Sequence, residues 1–256
     1  MVDEVKEMFD NNRRERFNWT TRMSKIPPRE DGEIRRRIVA KYGPNVFRQF
    51  SDDMIVRSFL GAGETGEVYE VCLTRRSECF ALKLITGEHT DYEINMTKLA
   101  SDLGLGPKLR MFDVQEDPYH FAIMLIDRVE TTAFKYLLHP RSRAEISDLM
   151  LGIEALMERA CKAKFSHGDM HLENIGLIST VLDGKFVLVP VLIDFNYSAD
   201  YRSDTDITCR MAQFADFSQL TNESILDDMH KDNRTPYLNE LDRIERRIGT
   251  LTDSWY

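Results

Sequence analysis

The pattern of apolar residues changes twice along this chain of 256 residues, near residue 54 and again near residue 130. From Met54 onwards, short apolar runs are separated by glycine-rich or charged turns, which is typical of antiparallel strands. The runs are MIVRSFL, EVYEVCLT and ECFALKLI, then two more at about 108–114 and 120–127, after a predicted helix at about 90–103. Beyond residue 130, apolar residues recur at helical spacing, above all over 142–164. The sequence therefore predicts an α+β fold in which a small antiparallel sheet precedes a mainly helical part.

The two ends of the chain are also predicted to be helical. Residues 1–50 form an extension with short helices at roughly 3–17 and 32–42, closed by Gly43-Pro44. Further helices are predicted at about 206–220 and from Tyr237 to Leu251. We see no chemistry in the extension, and its clusters of arginine fit solvated helix faces.

Composition excludes several classes of protein. With 42% hydrophobic residues, the chain can bury a sizeable core. A net charge of −9 argues against general affinity for nucleic acid or an anionic membrane. The longest apolar run, Val187 to Ile193, is too short to span a bilayer. We therefore expect no nucleic-acid or membrane partner, and an intracellular, cytoplasmic location, which would be the host cytoplasm if the source is viral.

Four cysteines are scattered along the chain without a CxxC pair: Cys72, Cys79, Cys161 and Cys209. This spacing predicts buried thiols in a reducing compartment, with neither a disulfide nor a zinc framework.

A glycine-rich run lies between the first two predicted strands. It reads Gly61, Ala62, Gly63, Glu64, Thr65, Gly66, Glu67 and Val68, a GxGxxGxV pattern. Glycines allow a backbone to close over phosphates, because no Cβ is in the way. A tight hairpin explains the run equally well when it is taken alone. A dinucleotide-binding turn would need a helix directly after the glycines, where a strand is predicted instead.

The third predicted strand holds Lys83 in the middle of an apolar run. A buried ammonium needs an anionic partner, and a nucleotide phosphate would serve. The alternative is an edge-strand lysine whose head reaches water. Glu93, on the following helix, is the expected partner of Lys83, in preference to Glu88 before the helix proper.

The segment HGDMHLEN, residues 167–174, follows the long predicted helix. Asp169 and Asn174 could offer a carboxylate to an attacking hydroxyl and an amide oxygen to a metal. Asp194, in Asp194-Phe195-Asn196, follows the apolar strand VLVPVLI. A carboxylate at the mouth of a buried strand is costly unless it binds a cation, so we predict that Asp194 is the main magnesium ligand.

Taken together, these ordered motifs resemble the protein-kinase-like superfamily over about residues 54–200. In that resemblance Gly61, Gly63 and Gly66 form the glycine-rich loop, Lys83 is the β3 lysine and 167–174 is the catalytic loop. The resemblance implies a two-lobed kinase-like fold with a small antiparallel sheet as N-lobe at 51–128. A minimal, mainly helical C-lobe would follow at 129–256.

The same resemblance implies ATP and Mg²⁺ as cofactors and assigns roles to further residues. Asp169 orients the acceptor proton, while Asn174 and Asp194 hold the metal. His167 braces the catalytic loop, and His171 lies near the departing phosphate. Adenine is expected between the lobes against Met124 to Arg128, with Asp127 in that segment, and under an apolar roof of Val68 and Ala81.

Three departures from the family bear on regulation and on the acceptor. Gly168 replaces the arginine of the HRD triplet, so activation by loop phosphorylation is not expected. Asn196 replaces the glycine of DFG, and we interpret it as a residue that tolerates positive φ. His171 makes the loop similar to HGDxH of aminoglycoside and choline phosphotransferases, while HGD also resembles RIO-type and KEOPS-type atypical protein kinases.

The short segment after Asp194 favours a compact atypical or viral-type serine/threonine protein kinase, with a protein substrate and with autophosphorylation as a further expectation. A small-molecule kinase is the alternative acceptor class. Two other interpretations stay open: a non-catalytic pseudokinase scaffold, and a hydrolase with a metal bound by His167, Asp169 and His171.

Overall fold

The structure is a computed structural model that describes most of the chain. The described residues are 28–48, 50, 54–63, 65–73, 78–87, 90–115, 121–182, 184–202, 209–221 and 223–250. The predicted helix at 3–17 lies outside them. The fold is mixed α+β, and the chain divides into two compact units. Their described residues are 28–98 with 108–128, here the sheet unit, and 99–107 with 129–250, here the helical unit.

The sheet unit contains five antiparallel strands in the order β1-β2-β3-β5-β4. The strands are β1 (Met54–Ala62), β2 (Gly66–Leu73), β3 (Glu78–Thr86), β4 (Leu109–Gln115) and β5 (Phe121–Asp127). All five predicted strands are present. Between β3 and β4 comes the predicted helix, which spans Thr90–Asp102.

Side chains that alternate along β2 and β3 divide this sheet into two faces. Cross-strand neighbours share a face, so the pairs Tyr69 with Leu82 and Glu67 with Leu84 lie on one face, which we call the back face. The pairs Val68 with Lys83 and Glu70 with Ala81 lie on the other, the front face. Met124, opposite Lys83 on β5, is therefore also on the front face.

A helix from the N-terminal extension covers the back face. This helix, α1, spans Pro28–Tyr42 and begins earlier than the predicted 32–42, because proline is tolerated in a first helical turn. Ile38 and Tyr42 of α1, followed by Val46 and Phe47 of a 3₁₀ turn, pack in one core cluster with the back-face side chains of the sheet. These residues are part of the core of the sheet unit.

The helical unit contains the three predicted helices, together with shorter elements that the spacing does not predict. After α2 (Thr90–Asp102), the elements are β6 (Thr131–Thr132), α3 (Ala133–Leu137), α4 (Arg143–Lys162), β7 (Phe165–Ser166), β8 (Ile175–Leu182), β9 (Lys185–Leu192), β10 (Ala199–Asp200), α5 (Cys209–Ser218), α6 (Glu223–Asp228) and α7 (Lys231–Thr250). The predicted helices are α4, α5 and α7. Strands β6, β8 and β9 form a small sheet, and β7 pairs with β10. Among the described helices, none has the length and hydropathy that a membrane span requires.

The long helix α4 is the centre of the helical unit. Its first turn is closed by a capping box in which Ser142 and Glu145 bond each other's backbone N–H groups. Its apolar stripe is buried as predicted, at Ile146, Leu149, Met150, Ile153, Leu156, Met157 and Ala160. Gly152 gives Pro190 of β9 room to approach, since a Cβ there would lie 2.8 Å from the proline ring. On another side, Glu154 bonds Arg243 and Arg247 of α7.

The prediction of four unpaired thiols is wrong. The structure joins Cys72 to Cys79 and Cys161 to Cys209 by disulfide bonds. Cys72 and Cys79 are direct cross-strand partners on β2 and β3, with Cα atoms 4.0 Å apart. The other pair joins the last turn of α4 to the start of α5. Sequence spacing did not reveal either pair, because strand register and helix packing bring the cysteines together.

Asn233, in the first turn of α7, fixes the loop that precedes α4. It is fully buried, its Nδ2 donates to the carbonyl oxygens of Leu137 and His139, and its Oδ1 accepts from the N–H of Arg141. The Asn233→Ala variant leaves these three backbone groups without that partner. We expect it to lower the free energy of unfolding by about 2–4 kcal/mol.

Urea unfolding monitored by circular dichroism measures this loss. The matched control is Asn239→Ala, an exposed asparagine on the same helix, which should change stability by no more than about 0.5 kcal/mol. Equal stability of the two variants would contradict the assigned role of Asn233.

Candidate active site

The glycine-rich run forms the turn between β1 and β2. Gly63 donates its N–H to the carbonyl of Gly66 at 2.9 Å, and Thr65 accepts at 2.8 Å from the N–H of Thr86. At Gly66 a Cβ would collide with the carbonyl oxygen of Leu84, so glycine is required there. Glu64 lies outside the described residues. Because a strand follows the glycines, the dinucleotide-binding alternative does not fit.

Lys83 and Glu93 form a buried ion pair in the sheet unit. The side chain of Lys83 is 9% exposed and that of Glu93, on α2, is 1% exposed. The second carboxylate oxygen of Glu93 accepts from the hydroxyl of Thr65 at 3.1 Å, so the glycine-rich turn also reaches this pair. Lys83 is in the middle of the sheet, between β2 and β5, and the edge-strand alternative is therefore wrong. Glu88 lies outside the described residues.

The residues predicted to surround adenine lie along β2, β3 and β5. Val68 and Met124 flank Lys83 in register, and Ala81 lies two residues before it. Met124 is fully buried in an apolar cluster with Ile94 of α2. The carboxylate of Asp127 binds Arg110 at 2.5 and 2.9 Å. The structure thus gathers Val68, Ala81, Lys83 and Met124 on the front face, while the side chain of Asp127 binds Arg110.

In the helical unit, one buried carboxylate holds the start of the predicted catalytic loop. Asp216 of α5 accepts hydrogen bonds from the N–H groups of His167 and Gly168 at 3.1 and 2.9 Å. It also accepts from the hydroxyl of Ser166 at 3.2 Å. Burial raises the pKa of the Asp216 carboxyl, and the three donors counteract that rise. The loop is therefore fixed through its backbone by a helix that follows it by more than forty residues.

His167, which the sequence predicts to brace the loop, is buried and hydrogen-bonded to a distant segment. Its side chain is inaccessible to solvent, and its Nε2 donates to the carbonyl of Ile193 at 2.9 Å. Its ring lies 5.6 Å from the ring of Phe195. Burial lowers the pKa of His167, so the neutral form with the proton on Nε2 fits this site. His167 thereby links the loop to the segment just before Asp194.

Gly168 has a conformation that an arginine could not adopt without strain. Its φ is +76°, and a Cβ at this position would collide with the carbonyl of Tyr197. The presence of glycine at position 168 thus has a local geometric cause.

Asn174 and His171 both contact Asp169. The Nδ2 of Asn174 donates to the Asp169 carbonyl and to its carboxylate, each at 3.0 Å. The Nδ1 of His171 accepts from the N–H of Glu173 at 3.3 Å, which leaves a proton on Nε2. That Nε2 lies 3.4 Å from the Asp169 carboxylate. The carboxylate of Asp169 is thus oriented from two sides.

Asp194 lies beside Asn174 at the same end of the β8–β9 hairpin. Ile175 pairs with Leu192 at this end, and the N–H of Ile193 donates to the carbonyl of Asn174 at 2.9 Å. Asp194 has a φ of +64°, a backbone conformation that is costly for a residue other than glycine. Asn196 does not have a positive φ, so the interpretation of Asn196 as a residue at positive φ was wrong. Among the described residues the left-handed position of this segment is Asp194, two residues earlier.

Sequence reasoning missed Asp216. Ala212, Asp216 and Leu220 recur at intervals of four residues and are all buried, so an acidic residue on the apolar face of the predicted helix at 206–220 was an available signal. It also missed Gly106, where a Cβ would lie 2.8 Å from the ring of Phe195.

Two metal-site alternatives fit the structure poorly. Glu70, Cys72 and Cys79 have ligand atoms within 4.8 Å of one another, but the two sulfurs are bonded to each other. The cluster of His167, Asp169 and His171 does not gather in this way within the described part of the chain. The Nε2 of His167 is also engaged by Ile193.

Comparison with protein-family models gave no match, and comparison with curated proteins gave none either. What this site can do therefore has to be argued from its own geometry.

Gly168→Ala tests the geometry of the loop, and Gly184→Ala is its matched control. Both glycines have positive φ, +76° and +74°, but a Cβ at Gly184 meets open space. The left-handed conformation costs alanine about 1–2 kcal/mol at either position. We expect Gly168→Ala to lose at least about 3 kcal/mol in urea unfolding, because the collision with Tyr197 is added. Equal losses would contradict the close approach of Tyr197.

Proposed function

We propose that this chain is an ATP- and magnesium-dependent phosphotransferase with a two-lobed protein-kinase-like fold, and that its acceptor is a serine or threonine hydroxyl of a protein. The observation that carries the proposal is the buried ion pair between Lys83 and Glu93. In this assignment the sheet unit is the N-lobe and the helical unit is the C-lobe.

The ion pair supports this function because apolar packing alone gives no reason for it. Moving a lysine and a glutamate out of water costs several kcal/mol per ion, and their mutual attraction repays this cost only with good geometry. Glu93 holds Lys83 on the front face of the sheet, in register with Val68 next to the glycine-rich turn. A fixed ammonium beside a glycine-rich turn suits the binding of α- and β-phosphates of ATP.

Asp169 is the residue that would accept or orient the proton of the acceptor hydroxyl. Phosphoryl transfer depends mainly on positioning and on charge neutralisation, so a catalytic carboxylate has to be held in one orientation. Asn174 and His171 provide two contacts to Asp169. His167 and Asp216 hold the backbone on which it is carried.

The donor set at Asn174 and Asp194 fits magnesium. The amide nitrogen of Asn174 bonds Asp169, which directs its Oδ1 oxygen towards other partners. Asp194 contributes a carboxylate directly after Ile193, whose N–H bonds the carbonyl of Asn174. Both are oxygen ligands, the type that Mg²⁺ takes. When bound, the ion would neutralise phosphate charge, and these two side chains would hold it.

The acceptor class is the part of the proposal with a specific rival. A protein hydroxyl is favoured because His167, Gly168 and Asp169 resemble the HGD motif of RIO-type and KEOPS-type atypical protein kinases. The contact between His171 and Asp169 favours the rival, a small-molecule kinase of the aminoglycoside or choline type, because His171 belongs to the HGDxH pattern.

Transfer of radiolabelled phosphate from ATP with magnesium tests both acceptor classes. The full chain is incubated alone, with acidic and basic proteins, and with a panel of small hydroxylated molecules. Label on a protein supports the proposal, and label only on a small molecule supports the rival. Binding of ATP without any transfer would identify a pseudokinase instead.

Matched carboxamide variants test the assigned roles. Asp169→Asn should reduce turnover by about 10²–10⁴-fold while sparing the binding of ATP, because it removes only the proton acceptor. Asp194→Asn should weaken both, since it replaces a charged metal ligand with a neutral one. The control is Glu173→Gln, an exposed carboxylate on the same loop that should retain full turnover. Undiminished turnover of Asp169→Asn or Asp194→Asn would refute the roles.

A further inference from the structure

The carboxylate of Glu67 is a point where helix α1 and strand β2 meet. Glu67 directly follows Gly66 at the start of β2. It lies on the back face of the sheet, whereas Val68 and Lys83 lie on the front face. Its Oε2 accepts from the hydroxyl of Tyr42 at 3.2 Å and from that of Tyr69 at 2.9 Å. Tyr42 is the last residue of α1. One carboxylate oxygen thus joins the end of α1 to β2.

The other oxygen of Glu67 contacts two cations of α1. Lys41 Nζ lies 3.1 Å from Oε1, and Arg37 Nη2 lies 3.9 Å from it. Burial opposes ionisation of Glu67, but the hydrogen bonds from Tyr69, Lys41 and Tyr42 outweigh it and lower the pKa of this carboxyl. The glutamate side chain is 16% exposed, so solvent screens these contacts less than it screens a pair at the open surface.

Strand register places Glu67 directly after the glycine-rich turn. Glu67 is paired with Ala62 of β1, and residues 63–66 lie between these two positions. Arg37 extends the contact to β1, because its guanidinium lies 5.7 Å from the ring centre of Phe59. Helix α1 therefore contacts both strands at the point where the turn begins.

We propose that Glu67 is a positioning residue through which α1 holds the glycine-rich turn in the conformation that binds nucleotide phosphate; this inference rests on the proposed function. Tyr42 and Lys41 act through Glu67, and none of the three touches the nucleotide. The segment before the sheet, which showed no chemistry as a sequence, thereby sets the affinity of the site for ATP. Its contribution appears in KM for ATP, because the groups assigned to the transfer step are on the helical unit.

The test compares hydroxyl and charge variants of the full chain. Tyr42→Phe removes one donor to Glu67 and keeps the packed ring, and Glu67→Gln keeps an acceptor oxygen but removes the charge. Tyr136→Phe is the matched control, since the Tyr136 hydroxyl bonds Glu145 at 3.3 Å in the helical unit. Amide hydrogen exchange of the peptide 59–69 is measured without nucleotide, and KM for ATP and kcat are measured with it.

We expect Tyr42→Phe and Glu67→Gln each to accelerate exchange of peptide 59–69 by about tenfold, while exchange in α7 stays unchanged. KM for ATP should rise about five- to tenfold, with kcat within about twofold of the original chain. Tyr136→Phe should change none of these values. Because Tyr42 acts through Glu67, the effects of the two substitutions should not add in the double variant.

Two results would overturn the inference: unchanged exchange of peptide 59–69 in both variants, or faster exchange with an unchanged KM for ATP. The exchange arm does not depend on the proposed function. If the original chain neither binds nor turns over ATP, the proposed function fails. The exchange rates then still decide whether α1 holds the turn through Glu67, with faster exchange supporting that contact and unchanged exchange excluding it.

Discussion

The alternation of side chains along β2 and β3 determines what each face of the sheet can carry. Leu82 and Leu84 point to the back face, where α1 covers them, and Ala81 and Lys83 point to the front face. A shift of the register by one residue would bury Lys83 against α1 and expose the leucines. The apolar core on the back face therefore fixes the position of the charged group on the front face.

In the helical unit, a buried carboxylate fixes the position of the functional group. The loop at 167–174 extends away from the packed helices and strands, yet the side chain of Asp169 has to keep a fixed direction. Asp216 supplies acceptors for two consecutive backbone N–H groups that no strand or helix satisfies. His167 then fills the space beneath the loop and bonds the carbonyl of Ile193. The positive φ of Gly168 and that of Asp194 both occur within this framework, where surrounding contacts can hold a strained backbone.

Local features of both units could be predicted from the sequence. The strands of the sheet unit and the long helix α4 depend on residues close together in the chain, and their patterns are strong. The partner of Lys83 was also predictable, because Glu93 is on the next helix. Two features that the sequence did not reveal depend on distant contacts. Cys161 and Cys209 are 48 residues apart, and Asp216 is 49 residues from His167.

Some buried charged residues have a clear structural role, whereas for others the packing of the protein gives no reason. Glu154 is buried as well, but its two arginines join α4 to α7, and this contact has a clear structural role. Lys83 and Glu93 join β3 to α2, yet Ile85, Ile94 and Met124 already pack those elements together on the same side of the sheet. An apolar pair of similar volume would pack there at lower desolvation cost. The ion pair therefore fixes an ammonium that packing does not require, and the proposed phosphate-binding site would use it together with the glycine-rich turn beside it.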